Sequence, residues 1–150
     1  MQRIIFVCQG NICRSPAAEA LFKNRIRALG KESGFEVSSA GLERSTEGED
    51  IDPRMAALLD RDKEAHEPHR AHKITIPEFV GADLVVAMDR SNRILLSRAV
   101  SGKGMEKVRL LLEYAGERDD LEDPYYTLDF ETAYAELKRG VDAMVKTLVH

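Results

Sequence analysis

The run Arg3–Cys8, R-I-I-F-V-C, leaves this chain few folds to choose from. Its unbroken apolar stretch of β-branched and aromatic residues suits a strand covered on both faces, since a half-exposed strand would alternate with polar residues. Gly10 and Asn11 break the run, and Gly10 permits a backbone conformation that most residues resist. Ser15-Pro16 then supplies an N-cap followed by a first-turn proline, the usual start of a helix. Ala18, Phe22, Ile26 and Leu29 recur at helical spacing, and Gly30 closes the segment. Strand, tight turn and helix within about thirty residues open a βαβ unit.

The pattern repeats down the chain. Phe35–Ser39 reads as a second strand, and Asp52-Pro53 caps a helix carrying Met55, Leu58 and Leu59. Asp83–Met88 reads as a central strand, with Asp89 or Ser91 starting a helix that carries Ile94 and Leu95. Lys107–Leu112 is a fourth strand. The last helix is the best patterned, with Phe130, Ala133, Tyr134, Leu137, Val141, Met144, Val145 and Leu148 along one face. Alternating strands and helices predict an α/β fold with a parallel sheet and helices on both sides. In such sheets ligands bind beyond the carboxyl ends of the strands, and Cys8 sits at such an end.

A length of 150 residues fits a single domain over 1–150. The hydrophilic tract Glu43–Asp52 reads as a surface loop rather than a linker, because apolar periodicity resumes directly after it. A net charge of -4 argues against broad nucleic-acid or anionic-membrane binding. The apolar part of the N-terminus is too short for a signal peptide or a membrane span. A cytoplasmic location is therefore expected, and Cys8 and Cys13 are expected to be thiols rather than a structural bridge.

The segment Cys8–Ser15, C-Q-G-N-I-C-R-S, brings together what thiol chemistry on an anion requires. Between a strand and a helix, loop amides can turn inward and form a nest for an anion, helped by the helix N-terminus. Arg14 can fork onto two oxygens of a phosphate. Cys8 among those amides would have its thiolate stabilised and act as a nucleophile, and Ser15 can hydrogen-bond the sulfur. The plainer alternative makes Cys8 a buried strand-end thiol and Arg14 a surface charge. Phosphoryl transfer to sulfur also needs a group that gives the leaving oxygen a proton and later takes one from water. Asp123, in E-D-P-Y-Y (Glu122–Tyr126), fits that task, although an Asp-Pro pair is also an ordinary turn or helix-start signal.

These residues resemble the low-molecular-weight protein tyrosine phosphatases, and the resemblance covers essentially the whole chain. V-C-Q-G-N-I-C-R-S-P (Val7–Pro16) matches the family's signature loop. S-A-G (Ser39–Gly41), D-P-R (Asp52–Arg54), A-M-D (Ala87–Asp89) with Asn92, and D-P-Y-Y (Asp123–Tyr126) follow in the family's order. The resemblance implies a three-layer sandwich with a four-stranded parallel sheet in the order 2-1-3-4. It also implies tyrosine-phosphorylated proteins as partners, inhibition by phosphate-like oxyanions, and no metal or other cofactor. Cys8 would form a phosphocysteine, Arg14 would clamp the phosphate and Asp123 would be the general acid and then base. Gln9, Gly10, Asn11, Ile12, Cys13, Ser15 and Tyr125 would form the substrate site. Asn11 would hold the loop's shape, with Ser39 and His69 as partners; otherwise His69 is a solvated histidine in a charged loop. Cys13 would trap an oxidised Cys8 as a disulfide, or else serve as a small buried filler.

The chain departs from the family at several places. Ser45 stands where many members carry an aromatic residue, and there is no tryptophan. That assigns one pocket wall to Ile12, Tyr125 and Leu42. Thr127 replaces a common glycine, and His72 a common arginine. Ile12 offers an apolar contact that favours phosphotyrosine; relatives acting on phosphoarginine carry threonine there, which makes a protein arginine phosphatase the rival reading. An arsenate reductase would need further cysteines beyond Cys13. A phosphoprotein-binding module needs the pocket without the nucleophile or the acid. A redox centre at Cys8 and Cys13 lacks the two-residue spacing of thioredoxin-like motifs. Zinc on His66, His69 and His72 would need helical spacing, which Pro68 interrupts.

Overall fold

The computed structural model describes residues 1–150. Four strands, β1 (Gln2–Val7), β2 (Phe35–Ala40), β3 (Leu84–Ala87) and β4 (Val108–Leu110), form a sheet in the order β2-β1-β3-β4. Every pairing is parallel. This is the expected architecture and strand order. The helices are α1 (Arg14–Ala28), α2 (Pro53–Arg61), α3 (Ile76–Gly81), α4 (Arg90–Ala99), α5 (Pro124–Thr127) and α6 (Phe130–Leu148).

Strand periodicity divides the core into two. Ile4, Phe6 and Cys8 point to the face covered by α1, α2 and α6, while Ile5 and Val7 point to the face covered by α3 and α4. Leu21, Phe22, Met55, Leu59, Tyr134 and Leu137 fill the first layer and are fully buried or nearly so. Burial of one such side chain contributes roughly 1.5–3 kcal/mol. Because Val7 pairs with both Ala40 and Ala87, β1, β2 and β3 end in line. Cys8, Gly41 and Met88 therefore leave the sheet side by side.

Helix starts follow local chemistry with one exception. Asp52, Thr75, Asp89, Asp123 and Asp129 each accept a hydrogen bond from a first-turn amide, with reciprocal capping boxes at Thr75/Glu78 and Asp89/Asn92. The exception is α1. The expected cap, Ser15, lies inside the helix, which begins at Arg14 with Cys13 at the cap position and no side-chain cap. Ser15 is instead bonded to Cys8, so its hydroxyl is unavailable to the helix end.

Two further differences from the sequence reading have packing causes. Helix α3 lies in a stretch with no expected element, although Thr75-Ile-Pro-Glu78 is a capping-box sequence. The fourth strand stops at Leu110 rather than Leu112, because Leu111–Ala115 turns into a 3-10 helix. That turn seats Leu111 against α6 at Gly140, where a Cβ would lie 2.6 Å from Leu111 Cγ.

Gly140→Ala tests this contact. Helix propensity alone would raise stability by about 1 kcal/mol, whereas overpacking a buried site costs about 1–3 kcal/mol. The expected result is a lower urea midpoint, and a smaller cost of Gly140→Ala when it is made in a Leu111→Ala background than in the unmodified protein. A raised midpoint in the single variant would show that Leu111 yields freely.

Candidate active site

The loop from Cys8 to Cys13 has its backbone polarity sorted. The carbonyls of Gln9 to Ile12 face the protein, and each has a partner. Gln9 O accepts from Leu42 N at 2.9 Å, Gly10 O from Thr46 Oγ1 at 2.6 Å, Asn11 O from His69 Nε2 at 2.6 Å, and Ile12 O from Asp52 N at 2.6 Å. The amides of Gln9, Gly10, Asn11, Ile12 and Cys13 donate to no group in the protein. Five free donors in succession at an uncapped helix start form an anion cradle. The tract 43–52 is a surface loop as expected, and through Thr46 and Asp52 it also holds this loop from behind.

Asn11 makes the turn possible. It has φ 56°, in the left-handed region where asparagine is enriched, and it is wholly buried. Gly10, expected to supply the unusual conformation, has no positive φ. Asn11 rather than a glycine occupies the position because its side chain is bonded on every side. Nδ2 donates to Ser15 Oγ at 2.9 Å and to Ser39 Oγ at 3.1 Å, while Oδ1 accepts from His72 N at 3.2 Å. Ser39 Oγ in turn donates to Glu19 Oε1 at 2.7 Å. Gly41 runs close alongside, since a Cβ there would meet Asn11 Cβ and Gln9 O, each at 3.1 Å.

Cys8 is 3% exposed, with Sγ 3.0 Å from Ser15 Oγ and 3.4 Å from Ser15 N. Since Ser15 Oγ already accepts from Asn11, its hydrogen is free to donate to sulfur, an arrangement that stabilises a thiolate. Arg14, 2% exposed, is held at Nη1 by Asp89 Oδ2 and by Leu121 O, both at 3.0 Å. Its Nη2 lies 3.3 Å from Asp123 Oδ2. Burial opposes the guanidinium charge, but Cys8, Asp123 and Asp89 outweigh it and raise the pKa, so Arg14 stays cationic. Asp123 is the cap of α5, bonded to Tyr125 N at 3.1 Å. Cys13 is a different thiol from a nucleophile: burial, then Cys8 and Asp52, push its pKa up and keep it protonated.

A cavity of about 300 Å³ opens over the cradle. Cys8, Gln9, Gly10, Ile12, Cys13, Arg14, Asp123 and Tyr125 line it, so residues from opposite ends of the chain meet as expected. Asn11 and Ser15, expected to touch substrate, do not line it; their side chains are fully buried behind the loop. Ser39 and His69 reach Asn11 as expected. Leu42 is not a wall residue: it packs with the core on the other sheet face. The three histidines go to separate partners, His66 to Asp60, His69 to Asn11 and His72 to Glu78.

Several contributors carry no expected role at the site. Asp89 is expected as a helix start and as part of A-M-D, and its position at the carboxyl end of a central strand marks it for a ligand site. Glu43, Thr46, Arg54 and Phe130 also line the cavity. Arg54 stands in the D-P-R run, but nothing local pairs it with Phe130, because the starts of α2 and α6 meet only in the folded chain.

The comparisons agree with this geometry. The family model described as Low molecular weight phosphotyrosine protein phosphatase matches residues 3–150. A low molecular weight phosphotyrosine protein phosphatase of Sus scrofa is 34% identical over 150 residues, covering 95% of this chain and 93% of its own length. The counterpart from Schizosaccharomyces pombe is 38% identical over 127 residues, covering 83% of this chain and 81% of its own length. Among solved structures, YfkJ of Bacillus subtilis superposes with a TM-score of 0.94 at 30% identity, covering 99% of this chain and 94% of that one. The chain belongs to the family of low molecular weight phosphotyrosine protein phosphatases.

Proposed function

We propose that this protein tyrosine phosphatase hydrolyses phosphotyrosine in proteins through a phosphocysteine on Cys8, with residues 1–150 acting as one catalytic domain. The observation that carries the reading is the meeting of Cys8, Arg14 and Asp123 in one cavity above five free amides. The amides and Arg14 take the non-bridging oxygens of the phosphate and hold them more tightly as charge spreads in the transition state. The Cys8 thiolate attacks phosphorus as the bond to the tyrosine oxygen breaks, and protonated Asp123 gives that oxygen its proton. Asp123, now a carboxylate, takes a proton from water as the water attacks phosphorus. The sulfur–phosphorus bond breaks and the thiolate returns. Arg14 can bind the incoming phosphate while Asp89 and Leu121 keep hold of Nη1.

Phosphate-like oxyanions fit the same cradle and should inhibit. A nucleophile that must stay a free thiol suits a reducing compartment, and we assign the enzyme to the cytoplasm. No helix is long and apolar enough to cross a membrane.

Cys8→Ser should abolish turnover of an aryl phosphate at mildly acidic pH while vanadate or phosphate still binds; retained turnover would refute the nucleophile. Asp123→Asn should slow hydrolysis with a poor leaving group by roughly 10²–10⁴-fold, and with a good one far less. Equal slowing of both would remove Asp123 as proton donor. Asn11→Ala should cut kcat by about a hundredfold, the scale expected of a displacement near 1 Å in the reacting groups, with the circular dichroism spectrum unchanged. Turnover of phosphotyrosine, phosphoserine and phosphoarginine peptides compared side by side should rank phosphotyrosine first; a phosphoarginine preference would establish the rival specificity.

A further inference from the structure

An aromatic ring carried into the cavity by its phosphate needs flat surface beside it. The stretch 43–46 supplies none, since Glu43, Ser45 and Thr46 are polar and already bonded. Glu43 accepts from Gln9 Nε2 at 2.9 Å and from Ser45 Oγ at 2.7 Å, and Thr46 donates to Gly10 O. Arg54 is different. Its guanidinium lies over the Phe130 ring at 4.4 Å, and Asp52 grips it through Nε at 3.1 Å and Nη2 at 2.9 Å. The Asp52 side chain is 13% exposed and that of Arg54 is 59% exposed, so a well-buried anchor holds an accessible planar cation. Both groups line the cavity that holds Cys8.

We propose that Arg54 is a specificity-determining residue, presenting its guanidinium to the aromatic ring of the substrate as a cationic wall that Phe130 and Asp52 hold in place. A guanidinium is planar, weakly hydrated and attracted to the face of an aromatic ring. Fixed before the substrate arrives, it loses little side-chain freedom on binding. Outside that bidentate grip, Nη1 has no partner in the protein and keeps its hydrogens for the ligand. The inference rests on the proposed aryl phosphate substrate, but it concerns binding and can be read without turnover.

The test is competition binding to full-length Cys8→Ser protein, with phenylphosphonate and inorganic phosphate as probes. Arg54→Ala should weaken phenylphosphonate about two- to thirtyfold, the range a cation–π contact carries, and leave phosphate within twofold. Arg54→Lys should fall between, keeping the charge but losing the plane. Phe130→Leu, which leaves the Asp52 pair intact, should weaken phenylphosphonate selectively by a smaller factor. With Cys8 restored, the loss in Arg54→Ala should fall on KM for aryl phosphates rather than on kcat. Equal weakening of both probes would mean that Arg54 acts through Asp52 and the Ile12 carbonyl, and would overturn the proposal. Unchanged phenylphosphonate binding would overturn it as well. Absence of turnover in the unmodified enzyme would instead sink the proposed mechanism and leave these binding results standing.

Discussion

Bonded carbonyls on one side of a single loop and unbonded amides on the other are the constraint on which the rest depends. Four consecutive carbonyls, Gln9 to Ile12, are bonded by donors from Leu42, Thr46, His69 and Asp52, while the amides of Gln9 to Cys13 donate to no group in the protein. Unpaired buried backbone donors are costly to leave alone. The loop therefore needs outside support for its shape. That explains why the segments after β2 and before α3, remote from the chemistry in sequence, converge behind it.

Asn11 is where this support is concentrated. One residue adopts a left-handed conformation, bonds Ser15 and Ser39 through its amide nitrogen, and accepts from His72 through its amide oxygen. A glycine would adopt the same backbone but would leave Ser15 without its donor. Ser15 would then be free to point its hydrogen elsewhere, and Cys8 would lose a directed bond. Backbone geometry and nucleophile activation are thus coupled through a single side chain.

Arg14 poses the complementary problem of a buried cation. A charge removed from water needs partners, and Asp89 with the Leu121 carbonyl supplies them on Nη1. Asp123 meets Nη2 from a separate segment. The guanidinium is in this way fixed by one carboxylate and shared with another. A second guanidinium, Arg54, is anchored to Asp52 at the mouth of the same cavity.

Local chemistry was enough to place the strand ending at Cys8, the helix after it, the caps at Asp52 and Asp89, and the amphipathic face of α6, because each rests on residues close in sequence. The order of residues across the signature loop likewise marked Cys8 and Arg14, and the separate run D-P-Y-Y marked Asp123. What local chemistry could not show was which side chains touch a ligand and which stand behind the loop. Asn11 and Ser15 look like contacts on the chain but turn inward, since the protein supplies Ser39, Glu19 and His72 as partners from other elements. Leu42 left the pocket because the opposite sheet face had an apolar layer to receive it. Arg54 and Phe130 became neighbours only when α2 and α6 came together. Backbone propensity acts over a few residues, whereas the partner of a buried polar group or an aromatic face is chosen by packing across the whole fold.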